Sequence, residues 1–272
     1  MLAFAANSIL CRMALLAEEI DASTFTLVRL LTGTGMLLVL TRVNSGPGNL
    51  SLHWPSAVLL FSYMGSFSYG YLELSAGVGA LILFGAVQLT MLGYAAYRGE
   101  RFTGLAWIGI TSAAVGLAFL LAPGGDAPNL KGALLMVAAG VSWGAYSLLG
   151  RNLQDPLGVT AGNFLLASVM AVGLWLPIQL SGSVHSTING LVLAASSGVL
   201  ASAVGYALWF AALKQLTAST ASVVQLSVPV IAGVGGFILL LEPPGFRFVA
   251  ASIGVLGGIW MVLYLPKQRL VQ

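Results

Sequence analysis

Residues 76–100, AGVGALILFGAVQLTMLGYAAYRGE, lie without a gap over residues 218–242, ASTASVVQLSVPVIAGVGGFILLLE. The first stretch runs apolar for more than twenty residues before it meets charge at Arg98 and Glu100, and the second carries none until Glu242. A bilayer-crossing helix needs about 17–25 residues of this kind. Strands of a membrane barrel alternate polar and apolar over about 10 residues, whereas these stretches are apolar on all faces. In lipid the backbone must bond to itself, which leaves helices.

The rest of the chain repeats the pattern. Only 7% of the 272 residues are charged and the mean hydropathy is +0.95, against about 25% charged in a soluble domain. Apolar segments fall near residues 1–17, 24–41, 54–72, 76–97, 104–121, 131–149, 160–180, 189–213, 218–241 and 247–265. Turn-forming residues mark the joints, among them Asn44 to Asn49, Pro123 to Asp126 and Pro243-Pro244-Gly245. The expected fold is all-α, a polytopic membrane protein of ten transmembrane helices.

The two matching stretches also imply an internal repeat, residues 1–122 against residues 131–266. Residues 4–12 lie over residues 143–151 with Ala, Ser, Leu and Arg positions coinciding. Five helices is an odd number, so the second copy enters the membrane upside down, the inverted-repeat plan of many secondary transporters.

Charge sets the orientation. With the N-terminus cytoplasmic, Arg42, Arg98, Arg101, Arg151, Lys214, Lys267 and Arg269 lie inside, while Arg12, Arg29, Lys131 and Arg247 lie toward the outside. This follows the positive-inside rule and puts both termini in the cytoplasm, of a bacterial inner membrane by expectation. The net charge of +3 comes from scattered residues, and no basic run points to nucleic acid. The N-terminus has no positively charged leader. The first segment starts at Met1, as in a chain slightly shortened there.

Several segments resemble the drug/metabolite transporter superfamily in its ten-helix, EamA-type branch. They are residues 25–31 (FTLVRLL), residues 81–101 closing in Arg98-Gly99-Glu100-Arg101, residues 132–151, and residues 221–230 (ASVVQLSVPV) leading to Glu242-Pro243. The resemblance implies a carrier of amino acids, metabolites, nucleotide sugars or drugs, and leaves the substrate open. One departure is that Val87, followed by Gln88, stands where the second copy has Pro229, the expected helix kink.

Enzyme chemistry finds no support. His53 and His185 both sit in predicted loops, Cys11 is a lone packing residue, and no HExxH, GxSxG or phosphate-binding glycine loop occurs. No metal or cofactor is expected, and any driving force comes from a gradient. The polar residues inside the helices are therefore the candidates for solute binding. In the third segment Ser62, Ser66, Tyr69 and Glu73 share one face, either lining a cavity or bonding helices together. Asn7, Gln88, Asn163 and Gln225 are amides near helix middles, with the same two readings. Trp143 and Tyr146, and Tyr206 and Trp209, are i, i+3 aromatic pairs at depths that suit a mixed pocket. Trp54, Trp107 and Tyr264 suit the interfacial belt.

The charged candidates are Arg12, Arg29, Glu73, Glu100 and Glu242. Arg12 and Arg29 are read as an ion-pair cluster with Glu18, Glu19 and Asp21 that gates or braces the outer side, the alternative being that Arg29 attracts a substrate carboxylate. Glu100 and Glu242 end equivalent helices. No acidic residue or histidine occupies a helix middle, so a uniporter or exchanger is expected, with proton coupling through Glu73 in reserve. Gly254 and Gly258, and Gly109, Ala113 and Gly116, suit close helix contact, within the chain or in a homodimer. The partners expected are a small-molecule solute and membrane lipid. A non-transporting membrane protein, such as a lipid scramblase or scaffold, is the rival reading.

Overall fold

The computed structural model describes residues 1–45, 50–99, 102–124, 127–150, 155–213 and 224–264. Among them the helices are α1 (Leu2–Leu16), α2 (Ala22–Ser45), α3 (Trp54–Gly70), α4 (Ala76–Tyr97), α5 (Gly104–Leu121), α6 (Leu130–Gly150), α7 (Pro156–Leu180), α8 (Ile188–Ser196), α9 (Gly205–Leu213), α10 (Ser227–Leu240) and α11 (Phe246–Tyr264). A π-helical segment, Ser197–Val204, joins α8 to α9 in one rod. Six rods (α2, α4, α5, α6, α7 and the α8–α9 rod) are long and apolar enough to cross a membrane. Helices α1, α10 and α11 are shorter apolar ones, and α3 spans 17 residues.

Helix starts follow their capping residues. Thr103, Asp155 and Thr187 accept from the N–H three positions on in α5, α7 and α8, and Pro156 opens α7. Inside the helices, hydroxyls bond back to carbonyls four residues earlier: Thr26 to Ala22, Thr34 to Leu30, Ser68 to Met64 and Ser168 to Phe164. A hydroxyl satisfied in this way is cheap to hold away from water.

The core is apolar, but so is the outer surface, and several polar side chains lie inside. Val39, Val58, Val115, Leu134, Val169, Leu200, Leu208, Phe237 and Ile253 are exposed, while Asn7, Arg29, Thr34, Gln88, Asn163, Ser197, Ser202 and Gln225 are buried. Lipid is the solvent this surface fits, and the chain is a multi-pass helical membrane protein.

Packing between the first five rods and the last five follows a rule. Helix α2 packs on α7, α4 on α10 and α5 on α11; α3 packs on α6 as α1 packs on α8, and α4 on α6 as α1 on α10. Each of these pairings survives exchange of the halves. In two of these pairs, α5 with α11 and α2 with α7, the helices run antiparallel. On the α5–α11 face Gly109 meets Gly258 while Gly116 meets Gly254 and Ala251. Between α2 and α7, Thr24 bonds Trp175 at 2.9 Å and Thr34 bonds Ser168 at 3.1 Å. The small-residue faces of α5 and α11 are thus used against each other. A methyl on Gly254 would sit 3.2 Å from the Gly116 Cα.

The break ahead of α10 falls at Leu226, with Pro229 in the following turn. Pro229 has no N–H to offer the Gln225 carbonyl, which accounts for the interruption.

Candidate functional site

A buried aromatic cluster sits where α1, α3, α6, α7 and the α8–α9 rod meet. Trp143 lies 5.0 Å from Tyr63, 5.6 Å from Tyr146 and 4.9 Å from Tyr206, centroid to centroid. Phe4 stacks edge-on against Trp143, Tyr206 and Trp209 at 5.9, 5.7 and 6.0 Å, and Phe164 packs on Tyr206. Phe4 and Trp143 are the residues that overlie each other in the repeat, and here they touch. Asn163 donates to the Tyr146 hydroxyl at 3.5 Å. Of the candidates read from sequence, Trp143, Tyr146, Asn163, Tyr206 and Trp209 therefore converge.

Arg29 lies at the edge of this cluster and is fully buried. Its Nε donates to Ser202 Oγ at 2.9 Å and Nη2 to the Tyr63 hydroxyl at 3.4 Å. The guanidinium carbon stands 4.9 Å over the Phe67 ring and 5.5 Å over Tyr63. The π segment sets this geometry. Gly198 lies so close to the Arg29 carbonyl and Thr32 that no side chain would fit there, and Ser202, one π turn on, reaches the guanidinium. Four buried polar atoms have no hydrogen-bond partner among the described residues: Arg29 Nη1, Asn163 Oδ1, Tyr206 Oη and Gln225 Oε1.

This corrects the expected acid–arginine cluster. Arg29 has no carboxylate partner among the described residues and does not reach an outer surface. Arg12 pairs instead with Glu242, Nε to Oε1 at 2.8 Å, and donates to the carbonyls of Tyr71 and Leu72 at 2.9 and 3.2 Å. Leu241 adopts a left-handed conformation (φ 55°) that turns the chain after α10. Glu242 Oε2 then also accepts from Ala76 N–H at 2.8 Å, at the start of α4. Asp21 and Glu19 fasten the α1–α2 turn to the α7–α8 turn. Asp21 accepts from Thr24 and from His185 N–H, and Thr187 N–H bonds the Glu19 carbonyl at 2.7 Å. Arg247 donates to the carbonyls of Ala122 and Pro123. One end of the bundle is thus tied together by α1, α3, α4, α7, α8 and α10.

The remaining candidates are dispersed. Asn7 accepts from Ser197 across α1 and the π segment. Gln88 is buried in α4 and Gln225 just ahead of α10. Ser66 and Tyr69 are half-buried, and Glu73 is exposed in a cleft of about 180 Å³ beside Arg247 and Phe248. The buried face of α3 is instead the neighbouring one, carrying Tyr63, Phe67 and Tyr71. Glu100 lies outside the described residues. Phe4, Tyr63, Phe67, Phe164 and Ser202 are the site residues the sequence reading missed. The i, i+4 aromatic spacing of Tyr63 and Phe67 was the available signal.

The EamA-like transporter family matches residues 130–264, the half that supplies Trp143, Tyr146, Asn163, Ser202 and Tyr206. The chain belongs to that family. It is an EamA-type membrane transporter of the drug/metabolite transporter superfamily. An uncharacterized protein of Pseudomonas aeruginosa, PA1977, is 50% identical over 97% of this chain and 91% of its own length. A Streptantibioticus cattleyicolor protein named as a probable terminal-alkyne amino-acid exporter is 27% identical over 72% of this chain and 67% of its own. One crystal structure superimposes with a TM-score of 0.67 over 96% of this chain and 95% of the other. At 19% identity that likeness speaks to the fold alone.

Proposed function

We propose that this EamA-type transporter exports a small organic solute, an amino acid or related metabolite, by alternating access. In this reading ten helices form two inverted five-helix repeats, residues 1–122 and 131–266, in the bacterial inner membrane with both termini cytoplasmic. The observation that carries it is the antiparallel packing of corresponding helices in two pairs, α2 with α7 and α5 with α11, together with a buried aromatic and polar cluster drawn from both halves. A two-fold axis perpendicular to the helices turns one half upside down relative to the other, and a site on that axis can be opened to either side by rocking the halves. The name of the Streptantibioticus relative supports an amino-acid solute and the export direction.

The tied end carries the α1–α2, α3–α4 and α7–α8 turns, which the proposed topology puts outside. In this reading the structure represents a state closed to the exterior. The acids among the described residues lie in the turns and helix starts, so the solute gradient, by uniport or exchange, drives transport.

Counterflow tests the proposal. Proteoliposomes holding the purified protein and preloaded with single amino acids should accumulate a labelled solute of the same class. A panel spanning amino acids and related metabolites that gives no counterflow above empty liposomes would refute it.

A further inference from the structure

We propose that Arg29 is the anion-binding residue of the central site, and that the solute it takes is a monocarboxylate with a flat apolar body. This rests on the reading of the buried cluster as a transport site. A guanidinium presents five N–H donors in a planar fork. A structural arginine held away from water spends that fork on acids or several carbonyls, because an uncompensated buried charge is strongly unfavourable. Arg29 does neither. Nε is taken by one neutral hydroxyl at 2.9 Å, Nη2 makes only a 3.4 Å contact to Tyr63, and Nη1 has no partner. The two terminal nitrogens form the edge that a carboxylate grips bidentately.

The surroundings name the rest of the ligand. Tyr206 lies beside Arg29 with its hydroxyl turned toward Tyr63, a second donor for the same anion. The walls beyond are the rings of Tyr63, Phe67 and Trp143. A single buried cation among aromatic faces matches a single negative charge on an apolar body. It matches a phosphate dianion poorly, since that would leave charge uncompensated. The hydrogen bond from Nε to Ser202 aims the fork, so α2 and the π segment orient the guanidinium jointly.

The test needs three probes of one shape: 3-phenylpropionate, its neutral amide 3-phenylpropionamide, and phenyl phosphate. Binding to the purified full-length protein is read from intrinsic tryptophan fluorescence, Trp143 standing in the cluster. The wild type should prefer the acid over the amide by at least about tenfold, the lower end of what a hydrogen bond to a charged group returns. Arg29→Gln should abolish that preference, bringing acid and amide to within about twofold of each other. Arg29→Lys should retain part of it, having charge without the fork.

An equal affinity for acid and amide in the wild type overturns the proposal without any variant, which covers an Arg29→Gln protein that fails to fold. So does an acid preference that survives Arg29→Gln, a preference for phenyl phosphate, or binding of none of the three. Transport is scored apart. If solutes lacking a carboxylate are carried in counterflow and Arg29→Gln carries them equally well, the transport reading stands and this one falls. If the acid preference depends on Arg29 but no panel solute is carried, the reverse holds.

Discussion

Replacing Glu242 with Gln should open the tied end of the bundle, and the chain contains its own reporter. Glu242 joins three elements: it accepts from Arg12 on α1 and from Ala76 N–H at the start of α4, and it follows the turn that ends α10. Both side chains of the ion pair are largely covered, at 13% and 14% exposure. Gln keeps the shape and can still cap α4, but it removes the charge opposite Arg12. A hydrogen bond between charged groups contributes about 1.5–3 kcal/mol. At about 1.4 kcal/mol per tenfold, loss of that contribution shifts the closed-to-open ratio by roughly 10- to 100-fold. Cys11, the one cysteine, precedes Arg12 and is fully buried against Ser68 of α3 and Tyr71 just past its end. It should become accessible only when α1 parts from α3. A membrane-impermeant maleimide added to intact cells should therefore label Cys11 in Glu242→Gln at least tenfold faster than in the wild type. A rate unchanged within twofold, in a protein that still folds, would refute the view that this ion pair holds the end shut.

Other consequences follow from single observations. Tyr206→Phe removes a buried hydroxyl with no close hydrogen bond among the described residues; its melting temperature should hold or rise, by the equivalent of about 1 kcal/mol, and a clear fall would mean that its approach to Tyr63 is a true hydrogen bond. Burial alone would raise the pKa of Asp21, but the hydrogen bonds from Ser23, Thr24 and the His185 N–H outweigh it and hold the carboxyl below its ordinary value. That lowered pKa makes its contribution complete above the unfolded value of about 3.9 and lost as pH falls through the folded one. The wild type should thus lose thermal stability below about pH 4, and Asp21→Asn should start less stable at neutral pH and lose less, measured by melting temperature. Gly258→Leu would drive a side chain into the Gly109 carbonyl and the Ala113 backbone across the α5–α11 face. Overpacking of this kind costs about 1–3 kcal/mol and should lower the melting temperature, while Gly257→Leu, on a glycine with open space around it, should not.

How far the sequence carried depended on which physical signal was being read. Hydropathy reports depth along the membrane normal, so among the described residues most helix bounds were legible within about four residues; the ninth segment, expected from residue 218, is described as α10 only from Ser227, and residues 214–223 lie outside the described ones. The Gly109 and Gly258 faces, noted for their small residues, meet each other. Rotation about a helix axis was harder. Each residue turns a helix by about 100°, so the polar stripe Ser62–Ser66–Tyr69 misses the buried face by a single position. That face carries Tyr63 and Phe67. Counting hydroxyls as the lining overlooked that an interior between helices is filled by the largest flat side chains. The π segment was the least legible element. Its extra residue per turn shifts the helix phase midway, and Ser202 reaches Arg29 across 173 positions of sequence. No local pattern announces either event.

Arg29 shows why depth by itself misled. It lies in the second turn of α2, near enough to the acidic α1–α2 turn to suggest an ion pair at the surface. Asp21 and Glu19 are already engaged by the α7–α8 turn, however, and Arg29 points inward to Ser202 and Tyr63. The helix that corresponds to α2 in the other half is α7, and no charged residue occurs in Pro156–Leu180. On the proposed two-fold scaffold the charge is therefore one-sided. A solute held by its anion on that scaffold has one orientation, with its charged end against α2 and its apolar body toward Trp143 and Phe4. Rocking one half against the other would expose the solute to either side without turning it round. Either exit must then release the same charge from the same arginine, so detachment from Arg29 is the step expected to respond most to conservative substitution there.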